Sequence, residues 1–231
     1  MLVANGDGDT IDVFKAERSK KTIEGLSDAD NLRLDRSSGR LYAGYSSGLA
    51  VIDPATLQIL DRIALPGHPE AFELSPVGSQ IYVNVPSTGA VVVVDRHTGK
   101  ETSRWSVLPA LLNFPMALDQ AGHRLFIATR MPSRLLVFDT ASGHRVAQRP
   151  LCGDADDLFI DAQRRRLYAI CGEGQVAVIG LGDGDQYDEV QTVTSAPGAR
   201  TGLLVTATKT LFVAAPASGG RPAAVLLYKI D

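Results

Sequence analysis

Polar and ionisable side chains recur in five short segments, each of which immediately precedes an apolar run. The candidate ligand-binding residues in these segments are Asp30, Asn31, His68, Glu70, Asn113, Asp156, Asp157 and Arg200. Grouped carboxylate oxygens suit Ca²⁺ or Mg²⁺, and an imidazole also admits a transition metal. Arg200 offers a different chemistry, because its planar guanidinium can clamp the carboxylate of a small ligand. The segments therefore predict a polar site whose ligand is either a cation or a small molecule.

These residues leave two functions open. The first is a binding or scaffold protein without catalysis that presents a polar loop face to a small ligand or a partner protein. The alternative is a metal-dependent enzyme of the lactonase or lyase kind, with a cation on His68, Glu70 and Asp156 that polarises a carbonyl or activates water. A third interpretation is that Asp, Asn and Gly merely cap turns.

The motif content favours binding over catalysis. The sequence contains no Gly-x-Ser-x-Gly, P-loop or dinucleotide fingerprint. We therefore assign no catalytic residue, and we expect no cofactor beyond a divalent cation, Ca²⁺ or Mg²⁺.

The elements that must position these residues form a repeat. An apolar segment of one type begins at Leu2, Leu41, Ile81, Leu125, Leu167 and Leu211, at steps of 39, 40, 44, 42 and 44 residues. Three other short segments, rich in Val, Ile and Leu and bounded by Gly, Asp or Pro, accompany most copies. Runs of four to seven such residues predict strands rather than helices. Four strands in about 42 residues is the period of a β-propeller blade.

The predicted fold is therefore an all-β propeller of four-stranded antiparallel blades. We name the strands of a blade A to D, from the innermost outward. The predicted 22 strands begin with a B strand and end with a C strand, so about five and a half blades are present. We expect one domain, 1–231, with blade units at approximately 1–27, 28–66, 67–109, 110–152, 153–197 and 198–231. The polar segments are the connections from D to A, which we expect at the mouth of the central channel.

Composition and net charge limit the kinds of partner that we expect the chain to bind. The chain is 45% hydrophobic and 21% charged, with a formal net charge of −3. This is typical of a soluble globular chain, and the absence of a basic excess argues against nucleic acid. No apolar run approaches the 18 or so residues that span a bilayer, so we expect no membrane span.

A family resemblance supports the predicted fold. The segment Ile81-Tyr-Val-Asn-Val, followed downstream by Val94-Asp95 and Thr98-Gly99, resembles the YVTN repeat of bacterial YncE-like propellers. Similar variants begin at Leu41 and Leu125. The resemblance implies a seven-bladed parent that is exported to the periplasm or secreted, although residues 1–9 show no signal peptide. The family has no single established chemistry, so it implies little about function.

The two cysteines lie in the same predicted blade. Cys152 precedes the fifth A strand and Cys171 ends the fifth B strand, where strand pairing places it opposite Asp156. A disulfide is feasible if the parent is exported. The alternative is two separate buried thiols.

Overall fold

The computed structural model describes residues 1–15 and 19–230, and within them every long element is a β-strand. The 22 strands form six antiparallel sheets, four with four strands and two with three. The only helical elements in this part of the chain are two 3-10 turns, Pro86–Thr88 and Thr206–Thr208. The predicted all-β class and strand order are therefore confirmed. The chain divides into two compact units, Met1–Leu108 and Pro109–Asp231, each with three sheets.

The first unit contains strands β1 to β11. Its first sheet, β1-β2-β3, has no A strand among the described residues, and the next two sheets have all four strands. The bounds are β1 Leu2–Asn5, β2 Thr10–Lys15, β3 Ser19–Ile23, β4 Leu32–Asp35, β5 Arg40–Tyr45, β6 Gly48–Asp53, β7 Gln58–Ala64, β8 Phe72–Leu74, β9 Gln80–Val85, β10 Ala90–Asp95 and β11 Lys100–Ser106.

The second unit contains strands β12 to β22. Two four-stranded sheets precede a last sheet, β20-β21-β22, that has no D strand among the described residues. The bounds are β12 Leu111–Asp119, β13 Arg124–Met131, β14 Ser133–Asp139, β15 Arg145–Pro150, β16 Ala155–Asp161, β17 Arg166–Cys171, β18 Gln175–Gly180, β19 Glu189–Thr194, β20 Thr201–Val205, β21 Thr210–Ala215 and β22 Ala224–Lys229.

Inner sheets of each unit are buried on both faces. In β5, Ala43 packs with the core of the first sheet, whereas its neighbour Tyr42 packs with the core of the third. In β17, Ala169 and Tyr168 face opposite neighbouring sheets in the same way. Successive side chains of a strand point to opposite faces. Strands covered on both sides are therefore apolar, which is why β5 continues after Arg40 as Leu-Tyr-Ala-Gly-Tyr.

The turns that join C and D strands are stabilised by aspartate. Asp53 accepts a hydrogen bond from the amide of Ala55 at 2.9 Å, and Asp95 accepts one from the amide of Thr98 at 2.8 Å. A hydrogen bond from the hydroxyl of Ser79, with others from the turn, lowers the pKa of Asp95 to about 2. Short aspartate side chains that bond nearby amides are typical of such turns.

A buried ion pair joins the second and third sheets. Asp35, at the end of β4, lies 3.0 Å from a guanidinium nitrogen of Arg96, and both side chains are almost fully buried. Arg96 also donates to the carbonyl oxygen of Ser75. Burial of Asp35 favours its neutral form, but hydrogen bonds from Ser37 and Ser38 and the charge of Arg96 outweigh this and lower its pKa to about 2. The ionised pair therefore stabilises the contact between the two sheets.

We predict that Asp35→Ala lowers the free energy of unfolding by about 3–5 kcal/mol, because it leaves the buried charge of Arg96 without its partner. The pKa of Asp35 is lower in the folded chain than the ordinary 3.8. Its stabilisation is thus complete above pH 4 and is lost as the pH falls towards 2.

Denaturant unfolding at several pH values tests this prediction. Asp35→Asn should show a shallower loss of stability than the wild type between pH 4 and 2. The control is Asp7→Asn, at an exposed position, which should follow the wild type. Equal pH dependence in wild type and Asp35→Asn would contradict it.

Candidate functional site

Backbone pairing places the polar D-to-A segments at equivalent positions in successive sheets. The amide of Asp30 donates to the carbonyl oxygen of Gly44, and the amide of Glu70 donates to that of Asn84, each at 3.0 Å. The register of the other A and B strands makes Phe114, Asp156 and Arg200 the counterparts of Asp30 and Glu70. The next residue, Thr201, pairs with Ala214.

In the first unit, two of these segments bring together a histidine and two carboxylates. Asp30, His68 and Glu70 each offer one ligand atom, and the three atoms lie within 4.8 Å of one another. All three residues are half-buried. We call this group the histidine–carboxylate cluster. It is the only group of its kind within residues 1–15 and 19–230.

Neighbouring residues orient this cluster. Nδ1 of His68 is buried and lies 3.4 Å from Oδ2 of Asp28, although the geometry is not that of a hydrogen bond. The side-chain amide of Asn31 donates to the carbonyl oxygen of Glu70. Asn31, predicted to bind a ligand, thus ties one loop to the next. Three residues beyond Asp30 and Glu70, Arg33 and Glu73 form an ion pair at 3.1 Å.

In the second unit, carboxylates are paired with arginines. Arg130 contacts Asp154 at 3.1 Å and also binds Asp156, while Arg200 contacts Asp154 at 3.0 Å and Asp156 at 3.5 Å. The guanidinium of Arg130 lies 4.3 Å from the ring centre of Phe114. We call Arg130, Asp154, Asp156 and Arg200 the arginine–aspartate network. A hydrogen bond to Asp154, with the charges of both aspartates, raises the pKa of Arg200.

The structure groups the predicted metal ligands differently from the prediction. Asp156 was expected to join His68 and Glu70, but its carboxylate forms ion pairs with Arg130 and Arg200. The residue grouped with His68 and Glu70 is Asp30. A cation at Asp156 would have to displace two guanidinium groups.

Two further predicted residues have structural contacts. Asn113 is 0% exposed, because β12 begins at Leu111 and encloses it in the ladder with β13. The side chain of Asn113 is therefore not exposed for contact with a ligand. The carboxylate of Asp157 accepts a hydrogen bond from the amide of Gly202 at 2.7 Å and links two sheets.

A disulfide holds the loop that carries the network. Cys152 and Cys171 are bonded, with Cα atoms 5.8 Å apart and a separation of 19 positions in sequence. The amide of Gly172 also donates to the carbonyl oxygen of Asp154 at 2.8 Å. A bulge between Ala155 and Asp157 makes Ala155, rather than the expected Asp156, the partner of Cys171. The disulfide therefore restrains the segment from which Asp154 and Asp156 project.

Sequence reasoning missed two members of the network, Arg130 and Asp154. Arg130 lies near the end of a B strand, where the B-to-C loop emerges on the same side as the D-to-A segments. The sequence feature that could have identified Arg130 is therefore a charged residue at the end of β13. Asp154 has φ +56° and lies in the turn after Cys152, where the sequence reads as an ordinary loop.

A cavity of about 410 Å³ in the second unit is lined by charged groups that already pair with each other. Arg124 binds Asp185 at 2.6 Å and Asp139 at 2.7 Å. The hydroxyl of Tyr187 donates to Asp185 at 2.8 Å. Because these residues satisfy one another, the cavity is a weaker candidate for a site than the loop clusters.

Solved structures share this fold. The chain aligns over its whole length with a structure of Kuenenia stuttgartiensis hydrazine synthase, with a TM-score of 0.82, 16% identity and 80% of that chain covered. It aligns equally fully with a chain of a mitotic checkpoint complex, with a TM-score of 0.81, 12% identity and 71% of that chain covered. At these identities the likeness shows the fold alone. Four-stranded antiparallel sheets repeated at this period define the protein as a β-propeller.

A curated relative agrees with the repeat motif. The chain is 25% identical over 209 residues to the uncharacterized protein YncE of Salmonella typhimurium, which covers 87% of this chain. The protein is therefore a β-propeller chain that is similar to YncE, and it spans 58% of the length of that relative. No family model matches the sequence. Among the described residues, no helix is long and apolar enough to cross a membrane.

We predict that replacing both cysteines, Cys152→Ala with Cys171→Ala, lowers the free energy of unfolding by about 2–4 kcal/mol, since the disulfide restrains the unfolded chain. Denaturant unfolding with and without a reducing agent measures this. Reductant should destabilise the wild type by a similar amount and leave the double variant unchanged. The prediction fails if reductant has no effect on the fully reduced wild type.

Proposed function

We propose that this protein is a non-catalytic binding propeller that presents its loop face to a partner protein. The observation that carries the proposal is an exposed apolar surface beside the arginine–aspartate network. Leu111 and Met131 pair at the end of the β12–β13 hairpin, and both are exposed, as is the adjacent Leu112. We call these three residues the apolar tip.

The apolar tip and the network together resemble the composition of protein interfaces. Arg130, which stacks on Phe114 and binds the aspartates, directly precedes Met131 in β13. Interfaces are enriched in Met, Arg and aromatic residues at their centre and have a polar rim. The disulfide and the ion pairs hold these groups in place before binding, which reduces the entropic cost of association.

Charge pairing argues against the alternative of a metal-dependent lactonase- or lyase-like enzyme. That mechanism requires a spare carboxylate to move a proton beside the cation. Asp154 and Asp156 are each held by two arginines. Such pairing favours a static surface over acid–base chemistry. Besides a partner protein, the second kind of ligand proposed for the loop face is a small molecule.

Two finer proposals concern the whole protein. A ring of seven blades is proposed from the resemblance to the YVTN repeat. Export to the periplasm or secretion is supported by the disulfide, because disulfides persist in oxidising compartments.

Site-specific photo-crosslinking in the producing cells tests the binding proposal. A photoreactive residue at position 131 should capture one defined partner, whereas the same residue at the exposed position 190, in β19, should not. With that partner purified, Met131→Asp should weaken binding about 30-fold or more, as expected for an interface hot spot. Val190→Asp is the matched control.

The contrary results are equally definite. Capture of the same proteins at positions 131 and 190 would show that the apolar tip is not the binding surface. Capture of none at position 131, with turnover of lactones by the purified wild type, would support the enzyme alternative instead.

A further inference from the structure

We infer that the histidine–carboxylate cluster is a binding site for a divalent transition-metal ion of the zinc type. The site lies entirely within the first unit and does not depend on the proposed partner. Its ligands would be one imidazole nitrogen of His68 and one carboxylate oxygen each from Asp30 and Glu70.

The distances suit a small cation. The three ligand atoms lie within 4.8 Å of one another. In a tetrahedral shell, two atoms that each lie about 2.0–2.2 Å from one zinc ion are about 3.3–3.6 Å apart. Rotations of the half-buried side chains bring the three ligand atoms to that spacing.

The donor set selects the class of metal. Imidazole is a ligand of zinc and other first-row transition metals, whereas Ca²⁺ and Mg²⁺ prefer a shell of oxygen atoms. Three protein ligands also leave at least one position of a tetrahedral shell open. The site would therefore hold a water molecule or an exogenous ligand on the metal.

The surroundings of His68 support the same assignment. Metal-ligating histidines usually direct their second ring nitrogen towards a carboxylate or a carbonyl group. Oδ2 of Asp28 lies 3.4 Å from Nδ1 of His68. Asp28 is itself anchored, because its amide donates to the carboxylate of Asp9 at 3.0 Å. Asp28 thus acts as a positioning residue that favours one orientation of the imidazole.

The loops carry the ligands on restrained backbone. The amides of Asp30 and Glu70 are bonded to β5 and β9, respectively, and Asn31 ties the two loops together. His68 precedes the buried residue Pro69. A proline restricts the backbone conformation of the residue before it, so the backbone of His68 is restrained. The three ligands are therefore held near one another without a metal.

Zinc titration of the full chain, in competition with a chromophoric chelator, tests the inference. The wild type should bind one Zn²⁺ at this site. Loss of an outer partner of a metal ligand typically costs 10- to 100-fold in affinity. We therefore expect about 100-fold weaker binding for His68→Gln and Glu70→Gln, and about 10-fold for Asp28→Asn. The control is His97→Gln, which removes an exposed histidine at the opposite end of the same sheet and should bind like the wild type.

Cobalt provides a test that requires no variant. Co²⁺ added to the wild type should give the visible absorption of a low-symmetry site with nitrogen and oxygen ligands, and one equivalent of Zn²⁺ should abolish it. The inference is wrong if the wild type shows no stoichiometric binding of either metal. It is also wrong if folded His68→Gln and Glu70→Gln bind Zn²⁺ as tightly as the His97→Gln control.

Discussion

Burial of inner sheets on both faces is the constraint on which the rest of this structure depends. A strand such as β5 has no solvent-facing side, and its residues Leu41, Tyr42 and Ala43 are all buried. Polar chemistry is thereby excluded from the middle of the sheets and confined to the strand ends and turns. The backbone ladder then determines where those ends lie, since Asp30 and Glu70 are each attached to the neighbouring B strand.

The two units use the same loop positions in different electrostatic ways. In the first unit, two carboxylates and an imidazole converge. In the second unit, the corresponding segments place Arg200 and Asp156 together, and Arg130 joins them from a B strand. Opposite charges at short distance cancel most of the local field. One backbone framework thus carries a histidine with two carboxylates in one unit and paired arginines and aspartates in the other.

Parts of the site were predictable and parts were not. Asp30 and Glu70 were identified because each lies two residues before an A strand, and His68 because it lies in the same segment as Glu70. Asp156 was predicted as a ligand with His68 and Glu70, and a linear pattern does not reveal that Arg130 and Arg200 bind its carboxylate. Asn113 resembled a loop residue, yet the ladder continues through it to Leu111 and buries it. The bulge after Ala155 shifted the partner of Cys171 by one residue.

The sequence by itself determined the strand order, the repeat of about 42 residues and the loops that carry ionisable groups. These features are local, since alternation of apolar residues, turn chemistry and spacing depend on near neighbours in the chain. The tertiary structure decided which groups meet: Asp30 beside His68 and Glu70, Asp156 on Arg130 and Arg200, Arg130 on Phe114, and Cys152 bonded to Cys171. Such contacts join residues from separate strands or loops, and bulges and strand extensions alter their register. Only the packed sheets determine which of these side chains come within bonding distance.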